Sequence, residues 1–162
     1  MFRDKDEIFY ALSDTQLLAL LTKHEAGGEI KEGQIAVMCV IKNRVVEGGY
    51  FIDSSLLRNG LSNYKCIIMK NVYVSNINRF IYQFSCFNDS DPNRYRMEVE
   101  AISGIIPEDL SNLAENVIYG DTIDNTDGSN HYYNPNVVMK EPEWAKNAEF
   151  KKMIGNHLFL RI

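Results

Sequence analysis

Five consecutive apolar residues, Leu17-Leu18-Ala19-Leu20-Leu21, follow directly on Ser13-Asp14-Thr15-Gln16. That tetrad has the chemistry of a capping box, in which the serine hydroxyl accepts from an orphan amide and the glutamine reaches back to the cap residue. The pattern predicts a helix from Asp14 to about His24. An apolar run this dense leaves little polar circumference, so the helix is expected inside the core. Gly27 and Gly28 are expected to close it with left-handed backbone.

Farther along, Val37, Met38, Ile41 and Val45 share a helical face, and Lys42, Asn43 and Arg44 are expected on the polar side. A buried strand competes for this segment, but the length of 34–46 and the stop at Gly48-Gly49 favour a helix. The segment 50–79 is less periodic: 54–57 fits one helical turn, and 66–74 fits helix or strand. A helix is predicted over 93–102, and another starts at Pro107-Glu108-Asp109, with Leu110, Leu113, Ala114, Val117 and Ile118 on one face and Gly120 as its end. Residues 121–136, rich in Asp, Asn, Gly and Ser, read as a surface loop or irregular hairpin. A last helix around Trp144 is predicted over 142–152, and 158–160 read as a short strand. Neither repeats nor a linker-like tract interrupt the chain, so one domain spanning 1–162 is expected.

Composition narrows the function classes. The formal net charge of −5 argues against a nucleic-acid module, which needs a basic face. No apolar run approaches membrane-spanning length, so no membrane insertion is expected. The N-terminal residues carry both signs of charge and lead into no apolar stretch, which predicts cytoplasmic synthesis without a secretory signal. Cys39, Cys66 and Cys86 have no paired spacing and read as reduced thiols packed as small hydrophobes. Any polyanionic partner would have to be read by hydrogen bonds and stacking, for which nine Tyr, eight Phe and one Trp supply material.

Candidate chemistry follows by elimination. His24 has no second histidine four residues on, and His131 and His157 have no helical partner, so no metal site and no cofactor are expected. No serine elbow and no phosphate-cradling glycine loop occur. What remains is Glu25 in the turn Glu25-Ala26-Gly27-Gly28-Glu29, where the buried helix ends. A carboxyl that loses solvation keeps its proton towards neutrality and can protonate a departing glycosidic oxygen. Plainer readings stay open at this point: Glu25 as a solvated turn carboxylate, Glu29 as a cap for the second helix, His157 as a satisfied near-core histidine, and Tyr132 and Tyr133 as packing for the loop.

Four blocks in order carry a resemblance. Leu17-Leu18-Ala19 through His24-Glu25-Ala26-Gly27-Gly28-Glu29, Glu32-Gly33-Gln34-Ile35-Ala36-Val37 and Asn43-Arg44-Val45 form the first. Gln83-Phe84-Ser85-Cys86-Phe87-Asn88, His131-Tyr132-Tyr133-Asn134-Pro135 and Ile154-Gly155-Asn156-His157-Leu158-Phe159 are the others. Together they resemble the SleB/CwlJ cell wall hydrolase family, typified by spore-cortex-lytic enzymes. The resemblance implies a predominantly helical α+β, lysozyme-like domain with a small β or irregular region, acting on peptidoglycan glycan strands between N-acetylmuramic acid and N-acetylglucosamine. It puts the family's catalytic glutamate on Glu25 and implies a lytic transglycosylase, with a hydrolytic muramidase or a silent wall-glycan-binding virion protein as alternatives. Gln83, Ser85, His131, Tyr132, Tyr133, Asn134 and His157 are then expected to bind substrate. A phage endolysin or virion-borne role, with virion or holin association, would explain a lytic domain without an export signal. Two departures stand out: 50–79 looks like an insertion, and His24, if charged, would lower the pKa of the neighbouring Glu25.

Overall fold

The computed structural model describes residues 1–162, the side chain of Phe150 excepted. Its elements in chain order are helices α1 (Glu7–Tyr10), α2 (Asp14–Ala26), α3 (Lys31–Glu47), α4 (Ser54–Arg58) and α5 (Asn63–Ile68), then the hairpin β1 (Asn71–Val74) and β2 (Arg79–Tyr82). Helices α6 (Pro92–Ser103) and α7 (Glu108–Tyr119) follow, and strands β3 (His131–Tyr133), β4 (Phe150–Ile154) and β5 (His157–Arg161) complete the chain. The architecture is helical with two small antiparallel sheets.

The central element is α2. Ser13 caps it as expected, its hydroxyl accepting from the Gln16 amide at 3.1 Å while Gln16 accepts from the Ser13 amide at 2.9 Å. Leu17 through Thr22 are all buried, and α7, α3, α5 and α6 surround the helix. Only one polar group enters this wall: the Thr22 hydroxyl donates back to the Leu18 carbonyl, satisfying itself inside the helix. Phe9 and Phe87 meet edge to face at 5.2 Å at the end of this core.

Behind Phe87, a buried polar clamp fixes the loop that precedes α6. Arg94 donates to Asp6 at 2.8 Å and to the Phe87 carbonyl at 2.8 Å, and the Tyr82 hydroxyl also donates to Asp6. Removing one partner from such a pair leaves a buried charge uncompensated, at a cost of about 3–5 kcal/mol. The Asn88 side chain accepts from the Tyr82 amide at 2.8 Å and ties the same loop to β2.

A second, smaller core lies between α3 and the three-stranded sheet, whose order is β3-β5-β4. Ala26, Ala36, Val37, Val40 and Phe159 form it, with Tyr132 packed against them. The register Tyr132↔Phe159 sets both rings on this face, and small residues on α2 and α3 allow the sheet to come close.

Several expectations need correction. Helix α2 runs two residues past His24, so Glu25 is helical and not in a turn. Gly27 is right-handed, at φ −61°, and Gly28 is also absent from the positive-φ positions. Close approach explains Gly27, because a Cβ there would stand 2.3 Å from the Lys23 carbonyl oxygen. Arg44 is buried and not on a polar face. Residues 142–152 hold a 3-10 turn, Glu143–Asn147, and then β4, so no last helix forms. The segment 121–136 is not simply a surface loop: Thr126, Ser129 and Asn130 are buried. Asp124 organises it by accepting from the Thr126 and Gly128 amides, each at 2.8 Å, and from Asn43 of α3 at 2.9 Å. No helix is long and apolar enough to cross a membrane.

Candidate active site

Glu25 projects from the last turn of α2 into a cleft where three separate pieces of chain converge. From β3, the Tyr132 hydroxyl donates to Glu25 Oε2 at 2.9 Å. From the 3-10 turn Ser85–Phe87, the Cys86 thiol acts on the same carboxyl and favours its charged form. Burial pushes the Glu25 pKa up, and Tyr132 and Cys86 oppose the shift without cancelling it. The Cys86 thiol is itself pushed up strongly, first by burial and then by Glu25, so it stays protonated.

His24 points elsewhere. Its imidazole bonds Glu100 at 3.0 Å, and Lys23 bonds the other oxygen of Glu100 at 2.7 Å. The expected influence of His24 on Glu25 is therefore replaced by that of His157, whose electrostatic effect lowers the Glu25 pKa. The His157 ring stands perpendicular to Tyr132 at 5.4 Å, and its Nδ1 lies 3.1 Å from Glu29 Oε1. Glu29 does not cap α3, which has no side-chain cap; it instead accepts from the Asn156 amide at 3.2 Å. Gly155 is left-handed at φ 58°, and a Cβ there would meet Glu29 Oε2 at 2.4 Å, so a side chain at this position is strained and must displace the Glu29 carboxylate.

Two cavities meet at Glu25 and Tyr132, which line both. The first, about 590 Å³, holds Gln83, Ser85 and His131 together with Arg44, Phe51 and Trp144. The second, about 550 Å³, holds Tyr133, Asn134 and His157 with Glu29. Every site residue expected from the sequence thus lines this cleft.

Their chemical states differ. His131 lies between Phe51 and Trp144, at ring distances of 5.7 and 5.0 Å. Burial and the nearby Arg44 charge pull its pKa down to about 4, so the imidazole is neutral at pH 7. Its Nδ1 lies 2.8 Å from the Asn130 side-chain oxygen, which also accepts from the Ile162 amide; Nδ1 therefore carries the proton and Nε2 is the free acceptor. Asn134 has its side-chain oxygen engaged by the Asn136 amide at 2.9 Å, which leaves its NH₂ group for a ligand. Gln83 and Ser85 are exposed along the first cavity. Among the described residues, no group of three or more His, Cys, Asp or Glu side chains could hold a metal ion.

The sequence reading missed Arg44, Phe51 and Trp144 as parts of the cleft and Cys86 as a buried neighbour acting on Glu25. Two of them stand inside blocks already singled out, Cys86 beside Ser85 and Arg44 beside Asn43, and that adjacency was the available signal.

A protein-family model described as Cell Wall Hydrolase matches residues 28–160, well over half of the chain. The chain belongs to the cell wall hydrolase family. In this cell wall hydrolase the match begins just after Glu25 and takes in every other expected site residue. Its fold is similar to the catalytic domain of the germination-specific lytic transglycosylase SleB from Bacillus anthracis, with a TM-score of 0.61 and 22% identity over 93% of this chain and 98% of that one. It is also similar to the catalytic domain of the Bacillus cereus SleB protein, with a TM-score of 0.55 and 22% identity over 91% and 89% of the two chains. No curated protein sequence matches it.

Proposed function

We propose that this cell wall hydrolase cleaves the glycan strands of peptidoglycan as a lytic transglycosylase, with Glu25 as its single acid and base. One observation carries the reading. Glu25 is the carboxyl shared by two adjoining cavities, and burial keeps it protonated to higher pH than an ordinary glutamate. A polysaccharide lying through both cavities presents one glycosidic oxygen to that carboxyl.

Glu25 donates its proton to the leaving oxygen as the C1–O bond breaks and an oxocarbenium-like centre forms at C1. The resulting carboxylate is held by the Tyr132 hydroxyl. It then takes the proton of the muramoyl C6 hydroxyl, whose oxygen bonds to C1 and closes a 1,6-anhydro ring. Glu25 ends protonated, ready for another turn. Water is not consumed, so no second carboxylate is required. The lining supports this: among the described residues, Glu29 is the only other carboxylate in the two cavities, and it is engaged by His157 and Asn156. We assign Gln83, Ser85 and His131 to the sugar on one side of the bond, and Tyr133, Asn134 and His157 to the sugar on the other.

Digestion of purified peptidoglycan, read by mass spectrometry of the soluble fragments, tests the proposal. Anhydromuramoyl ends are expected. Reducing muramic ends would make the chain a hydrolytic muramidase, and the absence of fragments would make it a wall-binding protein without turnover.

A further inference from the structure

The first cavity contains a cation that the proposed chemistry does not use. Arg44 is only 4% exposed, yet its Nη1 has no hydrogen-bond partner and it forms no ion pair among the described residues. Its guanidinium is fixed by Nε donating to the Asn130 carbonyl at 2.6 Å and by the rings of Phe51 and Phe84 at 5.0 and 5.6 Å. A buried charge without a counter-ion is costly, and an arrangement that retains one has a partner to receive.

A side groove of about 260 Å³ opens off the same cavity and shares Tyr50, Ile81, Tyr82 and Gln83 with it. Lys70 lines this groove. Its ammonium sits 3.9 Å over the Tyr50 ring and donates to the Tyr50 carbonyl oxygen, again with no ion pair among the described residues. Glu47 and Asp53 act on Arg44 and Lys70 from a distance, and among the described residues Glu25 is the only carboxylate lining either space. Two uncompensated cations on one arm of a cleft, in a chain of net charge −5, mark a place for an anion.

We propose that this arm binds the carboxylate-bearing stem peptide of the muramoyl residue, with the Lys70 ammonium as direct partner and the fixed Arg44 charge drawing the peptide in. The inference rests on the peptidoglycan reading above and deepens it. A stem peptide hangs from the lactyl group of the sugar being cut, so an anion tethered beside that sugar reaches the groove while the sugar occupies the first cavity. A phosphate polymer carried on the C6 hydroxyl is excluded, because ring closure consumes that hydroxyl. The assignment also sets direction: the muramoyl sugar lies by Gln83 and Ser85, and the departing sugar lies by Tyr133 and Asn134.

The test compares glycan strands that keep their stem peptides with strands stripped by an amidase, using the full chain. Wild type is expected to show a KM about tenfold lower on intact strands, the scale of one partly exposed charge-assisted hydrogen bond, and the advantage is expected to shrink as salt is raised. Lys70→Met is expected to collapse the ratio of the two KM values towards one, and Lys70→Arg to restore most of it. Equal KM values for wild type on both substrates, or a Lys70→Met loss of equal size on both, would overturn the stem-peptide site while leaving glycan cleavage standing. Absence of turnover on both substrates would overturn the cleavage reading and this inference together.

Discussion

Changing Tyr132 to Phe isolates one contact on the proposed acid. The ring is kept, so its packing against Phe159 at 5.7 Å and His157 at 5.4 Å survives, and only the hydroxyl that donates to Glu25 Oε2 is lost. That bond strengthens during the reaction, because its acceptor changes from a neutral carboxyl to a carboxylate as the proton leaves. A hydrogen bond to a charged group contributes about 1.5–3 kcal/mol and one between neutral groups about 0.5–1.5, so the difference realised in the transition state is about 1–1.5 kcal/mol. This corresponds to a fall in kcat of roughly five- to twelvefold. The pH profile adds a sign. The first step needs protonated Glu25, so activity falls as pH rises through its elevated pKa, and the Tyr132 hydroxyl is one of the groups that restrain that elevation. Its removal moves the alkaline limb to higher pH. Initial rates on peptidoglycan across a pH series measure both effects. An unchanged kcat with an unmoved limb, or a limb displaced to lower pH, would refute the assigned role. A loss beyond a thousandfold would show that the hydroxyl transfers a proton itself.

Glu25→Gln is expected to lower turnover roughly 10²–10⁴-fold while melting at a higher temperature than wild type at pH 7. Burial raises the folded-state pKa of Glu25, so the native state binds more protons than the unfolded one between the two pKa values; stability present below the unfolded value is lost as pH rises through the folded one. Thermal melts at neutral and acid pH check this, since the advantage of the variant must fade towards acid. Gly155→Ala combines a left-handed backbone with a Cβ 2.4 Å from Glu29 Oε2, and is expected to destabilise by about 1–3 kcal/mol in urea denaturation. A change under about 0.5 kcal/mol would show that the crossing is looser than described.

The long helices were legible because their signals are local. The Ser13 capping box and the apolar stripe of α7 each act within one or two turns. Glu25 was legible by its block, although its last helical turn was not, since Gly27 is right-handed and the expected left-handed stop is absent. What escaped the sequence was pairing over distance. Cys86 reaches Glu25, Arg44 reaches Asn130, and Asp124 reaches Asn43 across stretches of chain that carry no shared periodicity. Residues 142–152 failed for a related reason: helical spacing around Trp144 is overridden by pairing of β4 with β5, a tertiary gain that local propensity does not register.

The register between Tyr132 and Phe159 has a consequence for synthesis. Helix α2 emerges from the ribosome early, but the tyrosine that grips its terminal glutamate gains its backing only after residues 157–161 have been translated and have docked as β5. A polypeptide still attached to its ribosome short of that point carries Glu25 without its support, so on the proposed mechanism wall-cutting competence waits until elongation has passed the final strand.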